Sequence, residues 1–192
     1  MKKILILVLL IVYTSANCQE SENKGWTFSI AFGTSASFDI YSPYKIAINT
    51  FPSIGYVLDR NMKIRLEYQY VRFVNRSDST ILFEEIGDAG KIAIHAARFD
   101  YMFGEFEKCG CLQWYINFGP GLYWTNTYLT ENNTIVPKHE LNFGIGAGGA
   151  LTLGLAGPLR AFFEVQYHQL IDGKTITHYI PFKLGLTFNK FY

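Results

Sequence analysis

Apolar residues alternate with small or polar ones along eight separate stretches of the chain, the two-residue period of a strand with one apolar face. The clearest case places Met62, Ile64, Leu66, Tyr68 and Tyr70 on one face and Lys63, Arg65, Glu67 and Gln69 on the other. Ahead of it, Trp26, Phe28, Ile30 and Phe32 oppose Thr27, Ser29, Ala31 and Gly33, and then Ile46, Ile48, Ile54, Tyr56 and Leu58 oppose Asn49, Ser53 and Gly55. The fourth stretch sets Ala97, Phe99, Tyr101 and Phe103 around Arg98 and Asp100. The fifth runs Leu112, Trp114, Ile116, Phe118, Leu122 and Trp124 against Gln113, Tyr115, Asn117, Gly119 and Gly121. The sixth sets Leu141, Phe143, Ile145, Ala147, Leu151 and Leu153 against Asn142, Gly144, Gly146, Gly148 and Thr152. In the seventh, Leu159, Ala161, Phe163, Val165 and Tyr167 oppose Arg160, Glu164, Gln166 and His168. The eighth opposes Ile180, Phe182, Leu184, Leu186 and Phe188 to Lys183, Gly185, Thr187 and Asn189.

These stretches approach the roughly 9–11 residues that a tilted strand needs to cross a bilayer, where soluble strands stop near five or six. The connections alternate in length. Asp59–Asn61, Gly104–Cys111 and Ala156–Pro158 are short, whereas Asp39–Lys45, Asn75–Gly90, Thr125–His139 and Ile171–Thr175 are longer. Short periplasmic turns alternating with longer external loops are the layout of an eight-stranded antiparallel up-and-down transmembrane barrel, and an even strand count puts both termini on the periplasmic side.

Energetics choose the face. A charge facing lipid at mid-membrane costs about 2–4 kcal/mol, so Lys63, Arg65, Glu67, Arg98, Asp100, Arg160, Glu164 and Lys183 are expected in the lumen. The apolar face then meets outer-membrane lipid, with Trp26, Tyr56, Tyr70, Trp114, Trp124, Tyr167 and Tyr192 near strand ends as an interfacial girdle.

Composition agrees. Of 192 residues, 49% are hydrophobic and 17% charged, against roughly 25% charged in a typical soluble chain. The net charge is +1 and no basic run exceeds two residues, which excludes a nucleic-acid footprint. Lys2 and Lys3, the apolar run Ile4–Tyr13 and the small residues Thr14–Cys18 read as a signal peptide over residues 1–18, cleaved after Cys18, with the barrel domain over 19–192. A rival reading makes Cys18 a lipidated first residue, with Asn17 a poor neighbour for that processing. Cys109 and Cys111 supply too few ligands for structural zinc. They read as a turn with two thiols, open to mutual oxidation in an exported compartment.

Three segments resemble the small outer-membrane β-barrel proteins in the form common in the Bacteroidetes, a porin-like family. They are Ala97–Phe103 (ARFDYMF), Asn117–Tyr123 (NFGPGLY) and Phe163–His168 (FEVQYH). The resemblance covers the mature chain, and its motifs are architectural. It implies an outer-membrane location and assembly by the barrel-assembly machinery. Leu184, Leu186, Phe188 and the final Tyr192 resemble that machinery's recognition signal, which Lys190 interrupts.

An eight-stranded interior is just wide enough for its own side chains. The five basic and three acidic lumen residues are expected to pair, because an unpaired charge in a narrow interior is costly. Glu67 and Glu164 are the expected central acceptors for Arg65, Arg98 or Arg160. This favours a structural or surface-interaction barrel whose external loops, such as Asn75–Thr80 and Thr130–Thr134, are available to an extracellular or periplasmic ligand. The alternative is a narrow channel for small solutes or a conduit for apolar molecules. A lipid A-modifying enzyme ranks lower, because none of His95, His139, His168 and His178 has the Ser two residues later that the deacylase motif requires, and no Asp–Ser pair accompanies them. No catalytic, cofactor-binding or metal-ligating set is assigned. A soluble lipocalin-like barrel would demand the reverse arrangement, apolar within and polar without.

Overall fold

The computed structural model describes residues 24–37, 44–75, 92–106, 112–131, 134–171 and 176–191. These residues form eight strands: β1 (Gly25–Ser37), β2 (Tyr44–Val57), β3 (Met62–Asn75), β4 (Ile92–Gly104), β5 (Leu112–Glu131), β6 (Thr134–Ala156), β7 (Leu159–Ile171) and β8 (Ile176–Phe191). Each pairs antiparallel with its neighbours, and β1 pairs with β8 to close the barrel. Following the register from Gly25 through Val57, Lys63, Met102, Asn117, Gly148 and Gln166 leads back to β1 at Ser35, ten residues on. Eight strands with that stagger tilt by roughly 40° from the axis.

Period-2 alternation sets what faces in. Every charge expected in the lumen is at least 93% buried, from Lys63 at 7% exposed to Arg98, Asp100 and Glu164 at 0%. Phe28, Ile30, Phe32, Leu66, Phe118, Phe143, Leu184 and many more large apolar residues stand exposed on the outer wall. A contiguous apolar surface of this extent is far beyond what a soluble monomer tolerates, and it inverts the soluble barrel's arrangement. No helix among the described residues is long and apolar enough to cross a membrane; here the strands carry the apolar surface.

Both described short connections are tight. Gly157 turns at φ 53°, a left-handed conformation that glycine adopts without steric cost, and Pro158 then starts the return into β7. At the other, the Asn61 N–H donates to Asp59 Oδ1 at 2.7 Å, closing a turn of the kind Asp favours. The termini and these turns share one end of the barrel, called here the termini end; the other is the loop end.

The expected loop Thr125–His139 is corrected by the structure. β5 runs to Glu131 and β6 starts at Thr134, paired residue for residue down to Glu131 opposite Thr134. Among the described residues, β4 pairs with β5 only as far as Thr127 and β7 pairs with β6 only from Phe143, so that beyond these points the hairpin is a two-stranded ribbon. Its Thr127, Thr130 and Thr134 sit within strands, where polar composition had suggested a loop. Threonine is a β-favouring residue, so composition misled and pairing between β5 and β6 prevailed. The strands are also longer than the expected ten residues, the shortest holding 13.

Residues 1–18, Cys109, Cys111, Tyr192, and the loops 38–43, 76–91 and 172–175 lie outside the described residues.

Candidate functional site

The interior is layered along the axis. In the middle layer, facing strand pairs bring opposite charges together: Arg65 stands across from Asp100 and Glu67 across from Arg98 on β3 and β4, and Glu164 stands across from Lys183 on β7 and β8. Arg65 reaches over the lumen from β3 to β7. Its Nη1 and Nη2 donate to Glu164 at 2.8 and 2.9 Å, and Nη2 and Nε donate to Asp100 Oδ2 at 2.8 and 3.2 Å. The planar guanidinium suits such two-oxygen recognition. Lys183 Nζ donates to Glu67 at 2.5 Å, Glu164 at 3.1 Å and Gln166 at 2.7 Å, and sits 4.4 Å above the Phe51 ring. Tyr115 donates its hydroxyl proton to Glu164 at 2.5 Å.

Glu67 and Glu164 each accept from a cation here: Arg65 bonds Glu164 and lies 3.5 Å from Glu67, as expected, while the other partners differ. Arg98 Nη2 bonds Asp100 at 2.6 Å, and Arg160 lies toward the termini end. Lys183 takes the place expected of those arginines, and Asp100, accepting from both Arg65 and Arg98, is a third hub. Glu67, directly across from Arg98, is taken by Lys183 and Gln69, and Arg98 turns to Asp100, two residues away on its own strand and face.

Toward the loop end the lumen becomes aromatic. Ala47, Val71, Phe73, Ile94, Ala96, Tyr123, Leu170 and Tyr179 form one buried cluster. Tyr179 stacks on His168 at 4.6 Å between ring centres and meets Phe73 edge-on at 6.2 Å. This cap is tied to the charges beneath it. Tyr179 donates to Gln69 at 3.1 Å, and Gln69 donates to Glu67 at 2.6 Å. Arg98 Nη1 donates to Gln166 at 2.6 Å and lies 3.0 Å from His168 Nε2. Nε2 also lies 2.9 Å from Gln166 Oε1, and Nδ1 lies 2.9 Å from the Tyr123 hydroxyl.

Next to Arg98 the neighbouring β5–β6 wall carries glycines at inward positions. A Cβ on Gly146 would lie 2.6 Å from Arg98 Nη2, and one on Gly121 would lie 2.7 Å from Arg98 Cγ. Glycine in the β5–β6 wall is what makes room for the guanidinium.

Three histidines sit on the outer wall toward the loop end. His95 Nδ1 pairs with the Tyr68 hydroxyl at 2.6 Å, His178 pairs with Tyr167, and His139 pairs with Asn126 at 2.7 Å. Each satisfies a polar ring where the apolar wall gives way to the loops. No group of metal-ligand residues forms among the described residues.

Polar within, apolar without and closed on itself, the chain has the architecture of small membrane-spanning β-barrels. Solved structures share the fold. The N-terminal β-barrel domain of Pseudomonas aeruginosa OprF is 15% identical, covering 87% of this chain and 99% of that one, with TM-score 0.53. Neisserial surface protein A is 10% identical over 89% of this chain and 100% of that one, at 0.55. Ail, the attachment invasion locus protein of Yersinia pestis, is 11% identical over 89% and 100%, at 0.53. No protein-family model and no curated protein matches the chain.

The residues that sequence reasoning left unassigned to the site include Phe51, Gln69, Tyr115, Tyr123, Gln166, His168 and Tyr179. All stand at inward positions of the alternation, the one signal that could have found them.

Proposed function

We propose that the protein is an outer-membrane β-barrel with a closed lumen and a structural or surface-interaction role, without enzymatic activity. The observation that carries this reading is the filled interior. The Arg65, Glu67, Arg98, Asp100, Glu164 and Lys183 network spans the lumen, and the Tyr123–Tyr179 layer lies over it. An interior of mutually bonded charges is a rigid plug, since moving any one member strands the others.

Function then lies outside the lumen. The β5–β6 ribbon extends past the barrel wall on the side of the long loops, the position from which a small barrel touches another surface. Two barrels of like fold carry surface and attachment in their names, which supports the same assignment. Residues 1–18 serve as the export signal, and Leu184, Leu186, Phe188 and Tyr192 serve as the contact for the assembly machinery. The apolar outer wall is the lipid contact.

Membrane fractionation with heat-modifiable gel migration tests the reading. The expected result is recovery in the outer-membrane fraction, with unboiled protein migrating differently from boiled. Recovery in the soluble fraction overturns it.

A further inference from the structure

Beneath the charged layer, at the termini end, the lumen keeps a cavity of about 30 Å³. That exceeds the roughly 10–15 Å³ required by one water and is well short of what a drug-like ligand occupies. Lys63, Arg65 and Arg160 line it, with no carboxylate among its lining residues. The three lumen acids among the described residues are engaged one layer higher by Arg65, Arg98 and Lys183. Three basic side chains therefore meet at this end. Arg160 has contacts of its own within the chain and still brings its charge to the wall.

A second observation points the same way. The Thr27 hydroxyl lines this cavity, is 1% exposed, and has no hydrogen-bond partner. A buried hydroxyl left unpaired is costly, and a guest that accepts a hydrogen bond would relieve it. Phe106 lies against Tyr115, ring centres 5.9 Å apart, and its N–H bonds the Arg60 carbonyl at 2.8 Å. It forms one side of the cavity as a fixed apolar wall. An anion here would gain field strength from the low-dielectric surroundings.

We propose that this vestibule is a binding site for a small monovalent anion of halide size, held by Lys63 and Arg160 and accepting a hydrogen bond from Thr27 Oγ1.

The test uses the full-length protein in detergent with bromide as the probe. Bromide-soaked crystals are expected to give an anomalous peak between Lys63, Arg160 and Thr27. ⁸¹Br line broadening in solution should weaken roughly tenfold or more in apparent affinity for Lys63→Gln, the loss of a charged partner. Thr27→Val, which keeps the shape and every charge, should weaken it a few-fold with unchanged heat-modifiable migration. An empty vestibule in the bromide-soaked crystal overturns the proposal. Bromide broadening indifferent to both substitutions also overturns it.

Discussion

The middle and the loop-end layers of the lumen close the same bore by different means. The middle is closed by charge: two arginines and a lysine from β3, β4 and β8 bonded to three carboxylates from β3, β4 and β7. The loop end is closed by shape, with Tyr179 stacked on His168 and set edge-on to Phe73. A charged layer holds only while every partner is present, because each ion is dehydrated. An aromatic layer loses only the contact area of whatever is removed. The two layers should therefore answer mutation differently, even though Tyr179, Gln69 and Glu67 connect them.

The largest effect is expected from Arg65→Met. It leaves Glu164 and Asp100 short of their main cation in a dry interior, at a cost of about 3–5 kcal/mol, read as a lowered denaturant midpoint for the folded barrel in detergent. A loss below that of an ordinary surface change would show that water enters the layer freely and would erase the contrast. Tyr179→Ala should cost about 3 kcal/mol and leave the middle layer standing, so the variant keeps heat-modifiable migration.

Which of these layers could be read from the chain differs just as sharply. Period-2 alternation placed Arg65, Glu67, Arg98, Asp100, Glu164 and Lys183 inside, since a face bearing five or more charges cannot meet lipid. It could not pair them, because pairs such as Arg65–Glu164 bridge strands four apart, and their relative height depends on a stagger of ten that no local pattern encodes. Tyr123 and Tyr179 escaped notice for another reason. Aromatic residues also populate the outer wall, so residue type alone does not mark a plug. The β5–β6 ribbon was hidden by its polar threonines, asparagines and glutamate, a composition shared by loops and solvated strands.

Smaller perturbations sharpen the same contrast. Gly146→Val pushes three carbons toward the Arg98 guanidinium from the nearby β6 wall and should cost about 2 kcal/mol, measured against an outward control such as Ala147→Val. If the two variants are equally stable, Arg98 is not held where the structure puts it. Gly157→Ala, at the left-handed turn outside both layers, should cost about 1 kcal/mol. Replacing residues 129–136 with a two-residue Asn-Gly turn should change barrel stability by no more than about 0.5 kcal/mol while removing surface contact. That result separates the barrel's stability from its external role.

Planar-bilayer recording of the full-length protein tests the closed lumen most directly. Gel migration verifies insertion before each recording. Two independent closures predict silence from the wild type and continued silence from a Tyr123→Ala/Tyr179→Ala variant, whose charged layer remains. Discrete conductance steps from the inserted wild type would contradict the account.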